Sequence, residues 1–298
     1  MSWTLYRWVW KLRSPLHIGL TRAGSLNRTR LYIPARNMWA ALTAEIARQQ
    51  AGTDFPDYED TGQKLQEHAR FTYLFPAERV DSHWRAWLPR YEKDYGLRWH
   101  REDGGVEPLP DRRFRRRLLH TRPTTAIAHS SGAAEEGTLR EVECIVECWR
   151  PQLVQDQSGP SPVAFVGYIF LKDTLPLAMQ NLLKELGEIF MGGETRYGFG
   201  HLSLLPHSPQ KPWQHTSDCF WAQVNFNADN PVIEGLHHVL AHTHQDRNPV
   251  KMGAWELLVQ WNWGTFQNQA SPFWAPGSQV GNDVRFNILD SGLWQAQE

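Results

Sequence analysis

The chain has 298 residues, 41% of them hydrophobic and 21% charged, which excludes a disordered polypeptide and leaves room for one large domain or two modest ones. Its formal net charge of -1 argues, taken alone, against nucleic-acid binding, but the total hides a split: residues 1–150 carry 24 Lys+Arg against 19 Asp+Glu, and residues 151–298 carry 7 against 13. Within residues 1–50, seven Arg and one Lys stand against Glu45 alone. Arg supplies 24 of the 31 basic residues, and Arg is the cation suited to bidentate phosphate contacts and to stacking on bases.

Other classes fall away cheaply. Cys144, Cys148 and Cys219 form no disulfide framework, which points to a reducing, cytoplasmic setting. No apolar run reaches the length of a membrane span. Arg7, Lys11 and Arg13 interrupt the apolar N-terminus, so it is not a secretory signal. The 15 Trp imply a Trp-heavy core or stacking surfaces, the core being the default.

In chain order, residues 3–12 alternate as a strand with Tyr6, Trp8, Trp10 and Leu12 on one face and Leu5, Arg7, Val9 and Lys11 on a wetter one. Turn-forming residues and Arg13, Arg22, Arg28, Arg30 and Arg36 follow as an Arg-rich loop. Asn37 is placed to cap a helix over 38–50, with Met38, Leu42 and Ile46 on its apolar stripe. Residues 51–110 mix charges and aromatics and read as an insertion or a peripheral helical region. Residues 111–125 hold six arginines, Arg112, Arg113, Arg115, Arg116, Arg117 and Arg122. Alone they would be a solvated face; beside the Arg-rich N-terminus they raise the binding reading.

Residues 139–149 alternate as a half-buried strand, with Val142, Cys144, Val146 and Cys148 on one face and Glu141, Glu143 and Glu147 on the other. Residues 163–171 form a fully buried strand. Thr174 and Pro176 open a helix whose stripe is Met179, Leu182, Leu183, Leu186, Ile189 and Phe190, ending at Met191. The loop GGETRYGFG (192–200) and a strand over 201–205 follow. The mixture of strands and helices without a regular βαβ repeat indicates an α+β fold, and split βαβ topologies of the ferredoxin-like or RNA-recognition type fit the order. Pro206, Pro209 and Pro212 mark a linker, so the expected division is a core over 1–206 and a Trp-rich C-terminal extension over 207–298.

Gly192, Gly193, Gly198 and Gly200 surround Arg196 and Tyr197, a pattern that lets backbone N–H groups approach an anion, with a helix C-cap and turn as the bland alternative. It is neither a P-loop nor a dinucleotide fingerprint. Metal sites are not indicated. Cys144 and Cys148 lie four apart on a strand, roughly 13 Å, and His238 and His242, with His237 and His244 nearby, read as a wet helix face without a third ligand.

At this point the residues reach a family. SPLHIG (14–19), LYIPARNMWAALTAEIA (31–47), GGETRYGFG, and the stretch 121–145, which looks like a thumb-like hairpin (about 120–150), resemble in this order the RAMP superfamily of CRISPR-associated proteins. Residues 253–294 look like the end of some type III-associated members. The resemblance implies a ferredoxin-like, RNA-recognition-type core in a type III-like effector, with CRISPR RNA, target RNA, backbone RAMP proteins and a large signalling subunit as partners and no cofactor. In such subunits phosphate contacts supply affinity and base pairing by the guide supplies specificity. Some relatives cut target RNA with an Asp in the loop after the first strand. Here Gly19–Pro34 holds no Asp or Glu, which implies a non-catalytic subunit. The alternatives are an RNA-processing endoribonuclease, with His17, His120 and His129 as candidate groups, and a scaffold that contacts mainly protein through the Trp-rich end.

Overall fold

The computed structural model describes residues 2–52, 54–151, 161–206, 213–217, 219–220, 222–227, 229–244, 250–262, 265–281 and 283–297. In chain order the elements are β1 (Trp3–Leu12), β2 (Gly19–Ala23), β3 (Leu26–Thr29), α1 (Ala35–Ala51), α2 (Tyr58–His68), β4 (Ala69–Phe71), β5 (Phe75–Val80), β6 (His83–Glu92), β7 (Gly96–Arg101), β8 (Leu109–Pro110), α3 (Asp111–Leu118), β9 (Leu119–Thr124), β10 (Arg140–Ile145), β11 (Cys148–Trp149), β12 (Ser161–Pro162), β13 (Ala164–Lys172), α4 (Leu177–Glu185), β14 (Glu188–Phe190) and β15 (His201–Leu204). The C-terminal strands are β16 (Gln214–Thr216), β17 (Gln223–Asn225), β18 (Val232–Glu234), β19 (Val250–Met252), β20 (Trp255–Asn262), β21 (Thr265–Trp274), β22 (Gln279–Val280), β23 (Phe286–Ile288) and β24 (Trp294–Ala296).

The alternation of β1 holds from Arg7 to Leu12, whereas Leu5, on the face expected to be wetter, is fully buried and Tyr6, on the apolar face, is half-buried. Trp8, Trp10 and Leu12 are buried, while Arg7 on the other face reaches the Trp84 carbonyl at 2.6 Å and Glu102 at 3.1 Å. β13, buried over Ala164–Leu171, runs antiparallel to β1 from Trp3↔Lys172 to Lys11↔Ala164. The main sheet has the order β14-β15-β1-β13-β5-β6-β7-β8. Within it, β15-β1-β13-β5 is the split β-α-β arrangement: α1 lies between β1 and β5 in the chain, α4 lies between β13 and β15, and the two helices pack together. The fold is α+β, as the sequence implies.

Three local expectations are corrected. α1 begins at Ala35 with Pro34, not Asn37, at its N-cap; Pro34 holds extended backbone and its carbonyl takes the Asn37 N–H at 3.0 Å. Thr174 does not cap α4, which opens after Pro176 and stops at Glu185. The rest of the apolar stripe then becomes β14, where Ile189 is buried and Phe190 is exposed. Residues 51–110 are not a peripheral helical region. Beyond α2 they supply β5–β8 of the main sheet, and their Trp87 and Trp99 are among the largest fully buried side chains. Here tertiary burial overrides the mixed charge pattern, because Arg98, Arg101 and Glu92 are paired on the sheet surface.

Residues on both sides of Pro206 share one hydrophobic cluster. β16 pairs with β1, and Ile233, Val239, Phe286, Ile288 and Trp294 join the core that holds Trp8 and Phe165. Pro209 and Pro212 lie outside the described residues. The histidine-rich segment is not a helix. Leu236–His244 is irregular, and His242 is fully buried.

Trp99 shows how this core is held. Its ring stacks on Phe114 at 4.3 Å and 9°, and its Nε1–H donates to Asp111 at 2.9 Å, fastening α3 to β7. Trp99→Ala should lower stability by about 3 to 5 kcal/mol, read as a shift of the urea midpoint with little change in slope.

Candidate nucleic-acid interface

The Arg-rich stretch after β1 is a hairpin rather than a loop. β2 and β3 pair antiparallel, and β3 runs parallel to β10, which pairs antiparallel with β9. The result is a second sheet of order β2-β3-β10-β9, the last two strands pairing antiparallel across residues 119–145. Register places its side chains. Arg22 stands opposite Asn27, Asn27 opposite Val142, Val142 opposite Arg122 and Arg140 opposite Thr124, so Arg22, Arg122 and Arg140 share the face of Val142 and Cys144. Arg28, one residue on from Asn27, falls on the opposite face with Glu141 and Glu143.

The glycine loop lies against the first of these faces. Phe199 packs on Val142 and Cys144, the Arg122 guanidinium sits 5.1 Å above the Phe199 ring, and Arg140 pairs with Glu194 at 2.7 Å. Arg196 and Tyr197, in a single 3₁₀ turn, are exposed. Arg22, Arg122 and Arg196 make no ion pair among the described residues, so the face presents uncompensated guanidinium groups. Arg140 stands alone in the sequence, outside any basic cluster. Its strand alternation with Val142 and Cys144 was the available signal.

The glycines serve a different purpose from the one expected. The N–H groups of Gly193, Gly198 and Gly200 donate to the carbonyls of His17, Thr195 and Pro15 at 2.9, 3.0 and 2.7 Å, so they form no anion cradle. Gly192 and Gly200 have φ of +85° and +76°, and a Cβ there would lie 2.4 Å from the His17 oxygen and 1.9 Å from the Met191 oxygen. The loop needs glycine to seat against residues 15–17. Gly200→Ala should cost about 3 kcal/mol or more, seen in thermal unfolding.

His17 belongs to that seat. It is buried, its Nδ1 lies 2.7 Å from the Glu143 carbonyl, and that carbonyl requires the hydrogen on Nδ1. Nearby, the Thr29 N–H donates to the Glu143 carboxylate at 2.9 Å.

The remaining predicted arginines separate by their surroundings. Arg13 is exposed at the end of β1, with its Nε on the Ser203 hydroxyl at 2.7 Å. Arg112, Arg113 and Arg116 are exposed on α3. Arg115 pairs with Asp111, and Arg117 pairs with Glu78 and covers the Trp149 ring at 4.7 Å; both therefore turn inward. Arg36 donates to the Val259 carbonyl at 2.7 Å. Cys148 is exposed and apart from buried Cys144, because β10 ends at Ile145.

Arg30 is taken out of the surface altogether. It is buried and pairs with Glu256 at 3.3 Å. Glu256 also meets the Tyr32 hydroxyl at 3.1 Å and His242 Nε2 at 3.1 Å, and the Tyr73 hydroxyl lies 2.8 Å from His242 Nδ1. This network ties the N-terminal hairpin to β20. Burial holds the His242 ring below its usual range, more than Glu256 opposes. Burial pushes the Glu256 carboxyl up, and His242, Arg30 and Tyr32 outweigh that to leave it below the usual carboxylate range. Both groups bind protons more readily unfolded than folded, so stability is present at neutral pH and falls as pH drops below about 6.5, then again below about 4.3. His242→Gln should remove the upper loss, and Arg30→Ala should cost about 2 to 3 kcal/mol at neutral pH, both measured by urea unfolding across pH.

No protein-family model matches the chain, and no curated protein sequence matches it. Solved structures do. A chain in the cryo-EM structure of the Type III-B Cmr-beta bound to cognate target RNA and AMPPnP superposes with a TM-score of 0.52 at 12% identity, over 92% of this chain and 85% of that one. A chain in the structure of the Type III-B Cmr-beta bound to cognate target RNA gives 0.51 at 14% identity, over 92% and 86%. The chain thus has the fold of chains in these Type III-B Cmr-beta structures, and its α+β core is the one that the RAMP resemblance implies.

Proposed function

We propose that this protein is a non-catalytic subunit of a type III-like CRISPR effector that grips the backbone or 5′ handle of the guide RNA. The carrying observation is the convergence, on one face of the β2-β3-β10-β9 sheet, of Arg22, Arg122 and Arg140 beside Arg196 and Tyr197 of the glycine loop. Guanidinium groups spaced along a sheet face suit the phosphates of an extended strand, and Tyr197, 72% exposed, offers a ring to an unpaired base. Arg13 and the outer arginines of α3, Arg112, Arg113 and Arg116, extend the basic surface. The fold shared with chains of a complex solved with cognate target RNA supports the same reading. Guide and target RNA and the neighbouring effector subunits are then the partners. The absence of any Asp or Glu from Gly19–Pro34 supports a binding rather than a cutting role.

The test is a salt titration of guide RNA binding with Arg22→Ala/Arg122→Ala. The double variant should bind about tenfold more weakly and lose roughly 1.4 from the salt slope, about 0.7 for each phosphate contact on single-stranded RNA. Unchanged affinity and slope would sink the placement. Metal-free cleavage of a repeat RNA that disappears in His17→Ala would replace it with the endoribonuclease reading. Assembly with neighbouring subunits and no RNA affinity at low salt would replace it with the scaffold reading.

A further inference from the structure

One further pocket has no part in this reading. It is a cavity of about 170 Å³ between β6 and the segment 235–240, lined by Leu88, Arg90, Phe220, Leu236, His237 and His238 among others. β6 supplies Arg90 to it, and β7 flanks β6 on that face. Leu88 stands opposite His100 and Arg90 opposite Arg98, so these four share a face with Glu92. The Arg90 guanidinium has no hydrogen bond or ion pair among the described residues. Glu92, the carboxylate acting on it, is held by His100 at 2.5 Å and Arg98 at 3.5 Å. No carboxylate lines the cavity among the described residues: its polar lining is Arg90, His237 and His238, with Arg98, His100 and Glu92 beyond them on the same sheet face.

That shortage of negative charge is felt inside the pocket. His238 is held down to about 4 by burial and then by Arg90, with His100 and His237 adding to it, against a hydrogen bond to the Tyr91 backbone. Burial and Arg90 likewise lower His100, against Glu92. An anion on Arg90 would reverse this balance and let His238 take a proton, giving a dianion two positive partners. The apolar wall of Leu88, Phe220 and Leu236 would cover an organic group attached to the anion.

We propose that this pocket binds a phosphate monoester, with the phosphate on Arg90 and His238 and the organic group against the apolar wall. The monoester comes either from a free mononucleotide or from the phosphorylated end of an oligonucleotide, which have this chemistry in common. The full chain is titrated calorimetrically with uridine 5′-monophosphate, uridine, inorganic sulfate, and a trinucleotide with a 5′-phosphate or a 5′-hydroxyl. The monophosphate should bind and uridine should not. Sulfate, whose charge is constant near neutral pH, should bind more tightly as pH falls and take up a proton. Arg90→Gln should weaken the monophosphate about tenfold or more, and Arg22→Ala/Arg122→Ala should leave it unchanged, which separates this site from the proposed RNA surface. Tighter binding of the 5′-phosphorylated trinucleotide than of the monophosphate identifies an oligonucleotide end as the source; the reverse identifies a free nucleotide. Equal affinity for uridine and its monophosphate, or no binding of the monophosphate at about 10 mM, overturns the proposal whether or not the variants fold. A folded Arg90→Gln protein that binds as before does the same.

Discussion

The antiparallel pairing of β1 with β13 is the contact on which the rest of the molecule depends. It joins residues about as far apart as Trp3 and Lys172 in continuous register, and such a closure costs more chain entropy than any local hairpin. It is held by bulk rather than by polar contacts. Trp8 and Trp10 on β1 and the nearly unbroken buried run of β13 remove a large apolar area from water. Once made, it brings the loop leaving β1 and the loop entering β15 to the same end of the sheet. Residues 15–17 then supply carbonyls for Gly193 and Gly200, and the second sheet forms against the glycine loop.

This geometry gives the arginines two different lives. Arg30 and Arg117 are held by carboxylates or aromatic rings and fasten segments distant in sequence, while Arg115 pairs with Asp111 within α3. Arg22, Arg122 and Arg196 are left facing outward around Phe199 and the loop. The same composition therefore serves both stability and a cationic surface, and counting charges cannot apportion it. An Arg that closes a buried network with Tyr32, Glu256 and His242 differs from one that awaits a phosphate only in which segments surround it.

The acidic C-terminal half has a similar double character. Its Trp294 and Phe286 complete the core, and Glu256 supplies the carboxylate that Arg30 needs. The charge asymmetry across Pro206 is in part an exchange of partners across a packing contact, and in part the cationic sheet face that remains. The phosphate pocket proposed at Arg90 would extend the protein's contact with phosphates to a second, smaller surface built from β6, Phe220 and residues 235–240.

Much was legible in the residues themselves. Alternation marked β1 and β10, a continuous apolar run marked β13, spacing marked the apolar stripe of α1, and four ordered blocks of residues carried a family resemblance with its α+β core. These are local patterns, set by the two-residue period of strands and the 3.6-residue period of helices. The ends of helices were less so, because Pro34 and Pro176 set backbone geometry where side-chain caps were expected. What only the tertiary structure decided is which side chains meet. β5–β8 joined the sheet despite a charged, mixed sequence, Gly193 and Gly200 turned their N–H groups to residues 15–17 instead of to solvent, Arg140 entered the basic face and Arg30 left it. Each depends on a non-local pairing, and a one-residue change of register exchanges the two faces of a strand, so residue type alone leaves the choice between core and surface open.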